Sequence, residues 1–242
     1  MTALGFLYPG HSADDDYPRI EQLLGSDIRV ELVHTDLGEE AHRLDAQGAH
    51  SAARLAAEVQ ELRHAGADAV VWASTSGGFV QGWDGAQDQV RTLAQAAGMP
   101  ASSTSFGFVH AVRELGARRV AVGATYPQEV AQLFAQFLRS DGVDVVSVRG
   151  SGGTPAGEVG GWGEAELLAF ARESDHPEAE ALLLPGTDLH TAAHIPALEK
   201  ELGKPVLTAN QVTVWEALRL ADRRVNAPEL GALFTREPIV QA

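Results

Sequence analysis

Two short runs of this 242-residue chain set hydroxyls and small residues directly after apolar segments: Trp72-Ala73-Ser74-Thr75-Ser76-Gly77 and Pro185-Gly186-Thr187-Asp188-Leu189-His190. Three more strand-end segments, Tyr8-Pro9-Gly10, His34-Thr35-Asp36 and Thr125-Tyr126-Pro127, share that character and are poor in Lys and Arg. The chemistry open to such residues is capture of a small carboxylate by neutral donors and by backbone N–H groups at helix N-termini, where partial positive charge collects. For a proton, the candidates are His190 and Asp188 beside the second run and His34, His11 and Tyr8 nearer the start. Histidine suits the task best, because its ordinary pKa near ~6.5 lets it give and take a proton at neutral pH. Ser74 reads either as a small residue lining the pocket or as a nucleophile; a serine hydroxyl is weak without a neighbouring base, and no Gly-x-Ser-x-Gly elbow surrounds it.

Other groups have plainer readings. His190 and His194 stand at i, i+4, but no His-Glu-x-x-His order or third ligand accompanies them, so they read as ordinary helix residues and no metal is expected. Asp188 reads as the cap of a following helix. Asp14-Asp15-Asp16 reads as a solvated helix start favoured by the macrodipole. Gly150–Gly157 and Gly160–Gly163 are loop material without the Gly-Lys-Ser/Thr of a phosphate loop, and Trp162 within them is either a lid residue or a local anchor. The chain has no cysteine, which excludes disulfides, thiolate metal sites and thiol catalysis.

The elements that must position these residues follow from periodicity. Short apolar runs alternate with segments whose apolar residues recur at helical spacing, which predicts parallel strands joined by crossover helices. Strands are predicted at Leu4–Tyr8, Ile28–His34, Ala69–Ser74, Val120–Tyr126, Val143–Val148 and Ala181–Leu184. Helices are predicted at Ala49–His64, Gly85–Ala97, Gly107–Leu115, Pro127–Arg139, Glu164–Glu173, Leu189–Leu202 and Val212–Ala221, the first stopped by Ala65-Gly66.

An internal repeat organises them. Pro100 and Pro205 in two Gly-x-Pro turns lie 105 residues apart, Ser74 and Gly186 lie 112 apart, and Tyr8-Pro9 and Tyr126-Pro127 lie 118 apart. Similar offsets in one order imply two pseudo-symmetric Rossmann-like α/β halves, each a small parallel sheet flanked by helices. Residues 1–100 with 209–242 would form one half and 101–208 the other. The carboxyl ends of the strands, where open α/β sheets bind ligands, would then face a shared cleft lined by Pro9, Ser74, Tyr126 and Gly186.

At these residues the chain resembles the aspartate/glutamate racemase superfamily, and within it the branch of maleate isomerase and arylmalonate decarboxylase. The resemblance covers nearly the whole chain and is strongest over Trp72–Gly77, Leu115–Tyr126, Leu184–Thr191 and Leu202–Leu220. It implies a substrate held between two α/β halves, one carboxylate cradled while charge develops in an enediolate or enolate. Thr75, Ser76, Tyr126, Thr187 and Asn210 match cradle positions, whereas the two cysteine positions are held by Ser74 and Gly186. Two-thiol racemisation and thiolate addition are therefore ruled out, while decarboxylation, which needs oxyanion donors and a proton, is least damaged. Three functions follow from the resemblance: a cofactor-independent decarboxylase or other lyase of a small carboxylate or dicarboxylate, with catalysis resting on Ser74, Tyr126 and His190; an isomerase or racemase using Ser74 and a non-cysteine base; or a non-catalytic small-acid binding protein.

Composition bounds the rest. A hydrophobic fraction of 45% is ample for large cores, and a formal charge of −15 disfavours nucleic acid and anionic membrane surfaces. The N-terminal residues lack the basic start and long apolar run of a signal peptide, and no apolar stretch is long enough for a membrane span, so a cytoplasmic protein is expected. A homodimer is the default assembly.

Overall fold

The computed structural model describes residues 1–9, 12–35, 52–152 and 156–235. His11, Gly10 and Asp36, and the start of the helix expected from Ala49, lie outside the described residues. The first half runs β1 (Thr2–Tyr8), α1 (Asp16–Leu24), β2 (Ile28–His34), α2 (Ala52–His64), β3 (Ala69–Trp72), α3 (Ser76–Phe79), α4 (Gly82–Ala97), β4 (Ala101–Ser103) and α5 (Thr104–Leu115). The second runs β5 (Arg119–Ala124), α6 (Gln128–Ser140), β6 (Asp144–Gly150), α7 (Ala156–Val159), α8 (Glu164–Ser174), β7 (Ala181–Leu184), α9 (Ile195–Leu202) and β8 (Val206–Thr208), after which α10 (Ala209–Leu220) returns to the first sheet.

The repeat is a repeat of topology. Two four-stranded sheets have the orders β2-β1-β3-β4 and β6-β5-β7-β8, with all pairs parallel. Leu4 pairs with Ala69 in one sheet as Val120 pairs with Ala181 in the other. Gly98 and Gly203 end α4 and α9 in the same left-handed conformation, at φ 66° and 64°, a geometry without steric cost only for glycine. Each is followed by its Gly-x-Pro turn and a three-residue strand. Gly5 on β1 and Gly123 on β5 each let a covering segment approach closely: a Cβ on Gly5 would lie 3.0 Å from Ala67 Cβ and 3.1 Å from Leu62 of α2, and one on Gly123 would lie 2.5 Å from Ser174 Cβ of α8.

β1 and β7 are buried along their whole length, as parallel strands covered on both faces must be. Alternation divides their side chains. Leu4 and Phe6 join a central core with Val120, Val122, Phe108 and Phe134, so the two halves share it, while Leu7 faces an outer cluster with Val59 and Leu62. The second outer cluster holds Ala121, Leu182 and Phe170, and Trp162 packs on Phe170 with ring centroids 5.3 Å apart, as an anchor. Helices α5 and α10 meet in the middle, where the Thr104 and Thr213 hydroxyls are 2.6 Å apart, and α10 lies against β1, β3 and β4. β4 pairs with β3, so the first sheet extends to Ser103.

The remaining differences from expectation have local causes. β4 and β8 are too short to display a period, and α1 begins among charged residues. α4, α5 and α10 each start three residues before the periodicity does, because their first turns hold small or polar residues such as Thr104-Ser105 and Ala209-Asn210. The helix expected from Leu189 begins only at Ile195: the Thr191 and Ala192 N–H groups are taken by the Asp16 carboxylate at 3.0 and 3.2 Å, and Pro196 favours the first turn. Asp188 and His190 therefore lie in an irregular segment, and Asp188 caps no helix. Asp16 is not solvated; it is 4% exposed.

Candidate active site

Strand order reverses on either side of β1 and of β5, and the crevice beyond such reversals is where open sheets bind ligands. β1 ends at Tyr8, and β3 runs into Ser74-Thr75-Ser76; β5 runs into Thr125-Tyr126, and β7 into Pro185-Gly186-Thr187-Asp188. These four strand ends meet. Thr75 Oγ1 donates to the Pro185 carbonyl at 2.8 Å, and Tyr126 OH donates to the same oxygen at 2.8 Å. Tyr8 OH donates to the Thr187 carbonyl at 2.9 Å and accepts the Ala13 N–H at 3.4 Å. Hydroxyls from both halves thus hold the two carbonyls that flank Gly186.

The cluster is dry. Thr75 is fully buried, and Ser74, Ser76, Tyr126, Thr187 and Asp188 are all buried beside it. Burial, and then the Asp188 carboxylate, push the Tyr126 hydroxyl well above the ordinary phenol range; burial and Asp188 do the same to Tyr8, against the Ala13 hydrogen bond. Both phenols therefore stay protonated and act as donors. Ser105 Oγ donates to the Thr75 carbonyl at 2.6 Å and fixes that turn from below. Ser74 Oγ accepts the Gly77 N–H at 3.1 Å and so tethers the start of α3.

At the end of β7 the side-chain space of Gly186 is already occupied. A Cβ there would lie 2.7 Å from Thr125 Oγ1 and 2.8 Å from Asp188 Oδ1, and Thr125 donates to that carboxylate oxygen at 3.4 Å. The sequence offers Asp188 both as a proton source and as a helix cap, and no helix begins there for it to cap. The signal was in the repeat: the offset relating Ser74 to Gly186 also relates Thr75 to Thr187 and Ser76 to Asp188.

The other expected site residues make contacts of their own. His190 Nδ1 lies 2.8 Å from Asp15 Oδ1 at the start of α1. His34 Nε2 lies 3.1 Å from Asp14 Oδ2, with its ring edge-on to Tyr8. His194 Nδ1 lies 3.3 Å from Glu164 Oε2, and the pair His190 and His194 shares no helix face. Asn210 Nδ2 donates to Asp16 Oδ2 at 3.1 Å and more weakly to the Ala13 carbonyl, so with Asp16 it ties α1, α10 and residues 191–192 into one buried knot. Burial outweighs these hydrogen bonds and raises the Asp16 pKa above the usual carboxylate value. Pro9, half-buried, follows Tyr8 at the mouth of the first sheet.

Among the described residues, no cluster of three His, Asp or Glu side chains could hold a metal ion, and no helix is long and apolar enough to cross a membrane. A separate cavity lies beside α10, lined by Arg219, Arg223 and Arg224. It is not an anion site, because those guanidiniums pair with Glu216, Asp27 and Glu114.

Known proteins share both sequence and architecture with the chain. The family model for arylmalonate decarboxylase matches residues 31–234. The arylmalonate decarboxylase of Bordetella bronchiseptica is 30% identical over 180 residues, 72% of this chain and 74% of that protein. The maleate isomerase of Nocardia farcinica is 28% identical over 141 residues, 58% of this chain and 56% of that protein. A crystal structure of arylmalonate decarboxylase superposes with a TM-score of 0.79 at 25% identity, covering 97% of this chain and 100% of the other. With paired sheets of one topology, a hydroxyl cluster at their strand ends and a family match over most of its length, the chain belongs to the arylmalonate decarboxylase family of the aspartate/glutamate racemase superfamily.

Proposed function

We propose that the chain is a cofactor-independent decarboxylase of a small malonate-type dicarboxylate that works through an enediolate. The observation that carries this reading is the convergence of the Thr75 and Tyr126 hydroxyls on one oxygen, each at 2.8 Å, in a buried strand-end site. Donors that meet on a carbonyl oxygen can turn to meet on a substrate oxygen instead, with Ser76 and the Thr187 N–H completing the cradle. Preorganised donors aimed at developing charge contribute about 2.7–4 kcal/mol each in a dry site. Loss of carbon dioxide requires that stabilisation first and a proton afterwards, and neither step needs a thiol. Ser74, Gly186 and Pro9 shape the walls, while Asn210 acts at one remove by holding Asp16. Arylmalonates, the class after which a relative is named, are the first substrates to try.

The test is incubation of purified protein with alkyl- and arylmalonates and with maleate, followed by NMR in deuterated water. Carbon dioxide loss with one deuterium placed on the product α-carbon supports the reading. Conversion of maleate to fumarate replaces it with an isomerase, and binding without turnover replaces it with a small-acid binding protein.

A further inference from the structure

We infer that Asp188 is the general acid of this site, the group that delivers a proton to the enediolate carbon; the inference rests on the decarboxylase reading above. Three observations carry it. Asp188 is 6% exposed, and its Oδ1 stands 2.8 Å from the point where a side chain on Gly186 would begin, so its carboxyl fills the wall that Gly186 leaves bare. Thr125, the residue before Tyr126, donates to its Oδ1 at 3.4 Å, which places it beside the hydroxyls that converge from the two halves. His190, the other donor expected from sequence beside this strand end, is instead held 2.8 Å from Asp15, next to the Thr191 and Ala192 N–H groups that bond Asp16.

The chemistry is consistent with a carboxyl in that place. To give a proton the Asp188 carboxyl must be in its neutral form, and burial together with a facing substrate anion favours that form over the charged one. In the reaction, one carbon–carboxylate bond of the malonate dianion breaks and carbon dioxide leaves. The bonding pair stays behind as the enediolate held by Thr75 and Tyr126. The α-carbon then takes the Asp188 proton, which yields the monocarboxylate and an Asp188 carboxylate stabilised by the Thr125 hydroxyl. Water restores the proton, so the net reaction consumes one proton and forms one carbon dioxide. Because the acid is fixed to the β7 side of the site, the proton arrives on one face only.

The experiment uses an α-aryl-α-methylmalonate, whose product carries a stereocentre, with wild type, Asp188→Asn and His190→Gln. The expected result is a loss of about 10²–10⁴-fold in kcat for D188N, typical of a missing general acid, with residual product racemic because its proton comes from bulk water. H190Q keeps both the rate and the enantiomeric excess of wild type. D188N with a near-wild-type rate, or with a lowered rate and unchanged enantiomeric excess, overturns the inference while the decarboxylase reading stands. A wild type inactive on every malonate overturns both. Should Asn fail to fold, as judged by circular dichroism, Asp188→Ser removes the acid, keeps a hydroxyl for Thr125 and is read in the same way.

Discussion

The two hydrogen bonds that meet on the Pro185 carbonyl allow stability and turnover to be tested together. Thr75→Val and Tyr126→Phe each remove one 2.8 Å bond without a large change of shape. Each single change leaves the other donor on the carbonyl, so each should cost about 0.5–1.5 kcal/mol, the net worth of an ordinary hydrogen bond. The double variant strips both donors from an oxygen whose surroundings are dry, since Thr75 is 0% and Tyr126 3% exposed. The penalty for an unsatisfied buried acceptor, about 1–3 kcal/mol, is then added to the separate losses. Stability of the double variant should therefore fall by more than the sum of the singles, with a coupling of about 1 kcal/mol, within the range found for contacting residues. Urea unfolding of the four proteins at one pH measures that coupling, and for a chain of this size about 1 kcal/mol appears as roughly 2–4 °C in Tm. Turnover of an arylmalonate should fall about 10²–10³-fold in kcat for each single variant, as for the loss of one oxyanion donor. Additive stabilities would refute the shared acceptor. Wild-type kcat in either single variant would refute the cradle.

Further outcomes are expected elsewhere. Ser74→Ala should leave kcat near wild type and lower stability by about 0.5–2 kcal/mol through loss of a helix-start bond, so abolished turnover in a folded S74A protein would assign Ser74 a covalent role. Gly123→Ala should cost about 1–3 kcal/mol of overpacking, because its Cβ would sit 2.5 Å from Ser174 Cβ, and Gly5→Ala, with its nearest neighbour at 3.0 Å, should cost less in the same unfolding assay. Glu216 is fully buried between α5 and α10, and although burial pushes its pKa up, the Arg219 hydrogen bonds and His110 outweigh it and hold the carboxyl below its usual value. A depressed folded pKa adds stability above the unfolded value of 4.5 that is lost as pH falls through the folded one. The Tm gap between wild type and Glu216→Gln should accordingly be full at neutral pH and narrow below the ordinary glutamate range. Because Arg219 is partly exposed, that gap should correspond to the lower end of the roughly 1.5–3 kcal/mol typical of a charged hydrogen bond.

Much of this protein was legible in its chain. Continuous apolar runs such as Ala69-Val70-Val71-Trp72, bounded by turn residues, read as strands buried on both faces, and the recurrent Gly-x-Pro turns and Tyr-Pro pairs pointed to two halves of one topology. The absence of cysteine excluded thiol chemistry outright, and the hydroxyl-rich runs after Trp72, Ala124 and Leu184 marked the strand ends that became the site. Local rules worked there because the spacing of apolar residues and the conformational demands of Gly and Pro act within a few residues.

Partners far apart in the chain were decided only by the tertiary structure. Tyr8 meets Thr187 across 179 residues and Thr75 meets Pro185 across 110, bonds that no local pattern encodes. Asp16 looked like a solvated helix start until residues 191–192 and Asn210 were folded onto it, and their N–H groups gave a buried carboxylate the partners it required. Those same bonds prevented a helix at Leu189, turned His190 toward Asp15 and left the Asp188 carboxyl in the space that a side chain on residue 186 would need. Which acid faces the reacting carbon is thus set by competition for backbone donors between segments distant in sequence, and that competition exists only once both halves are packed.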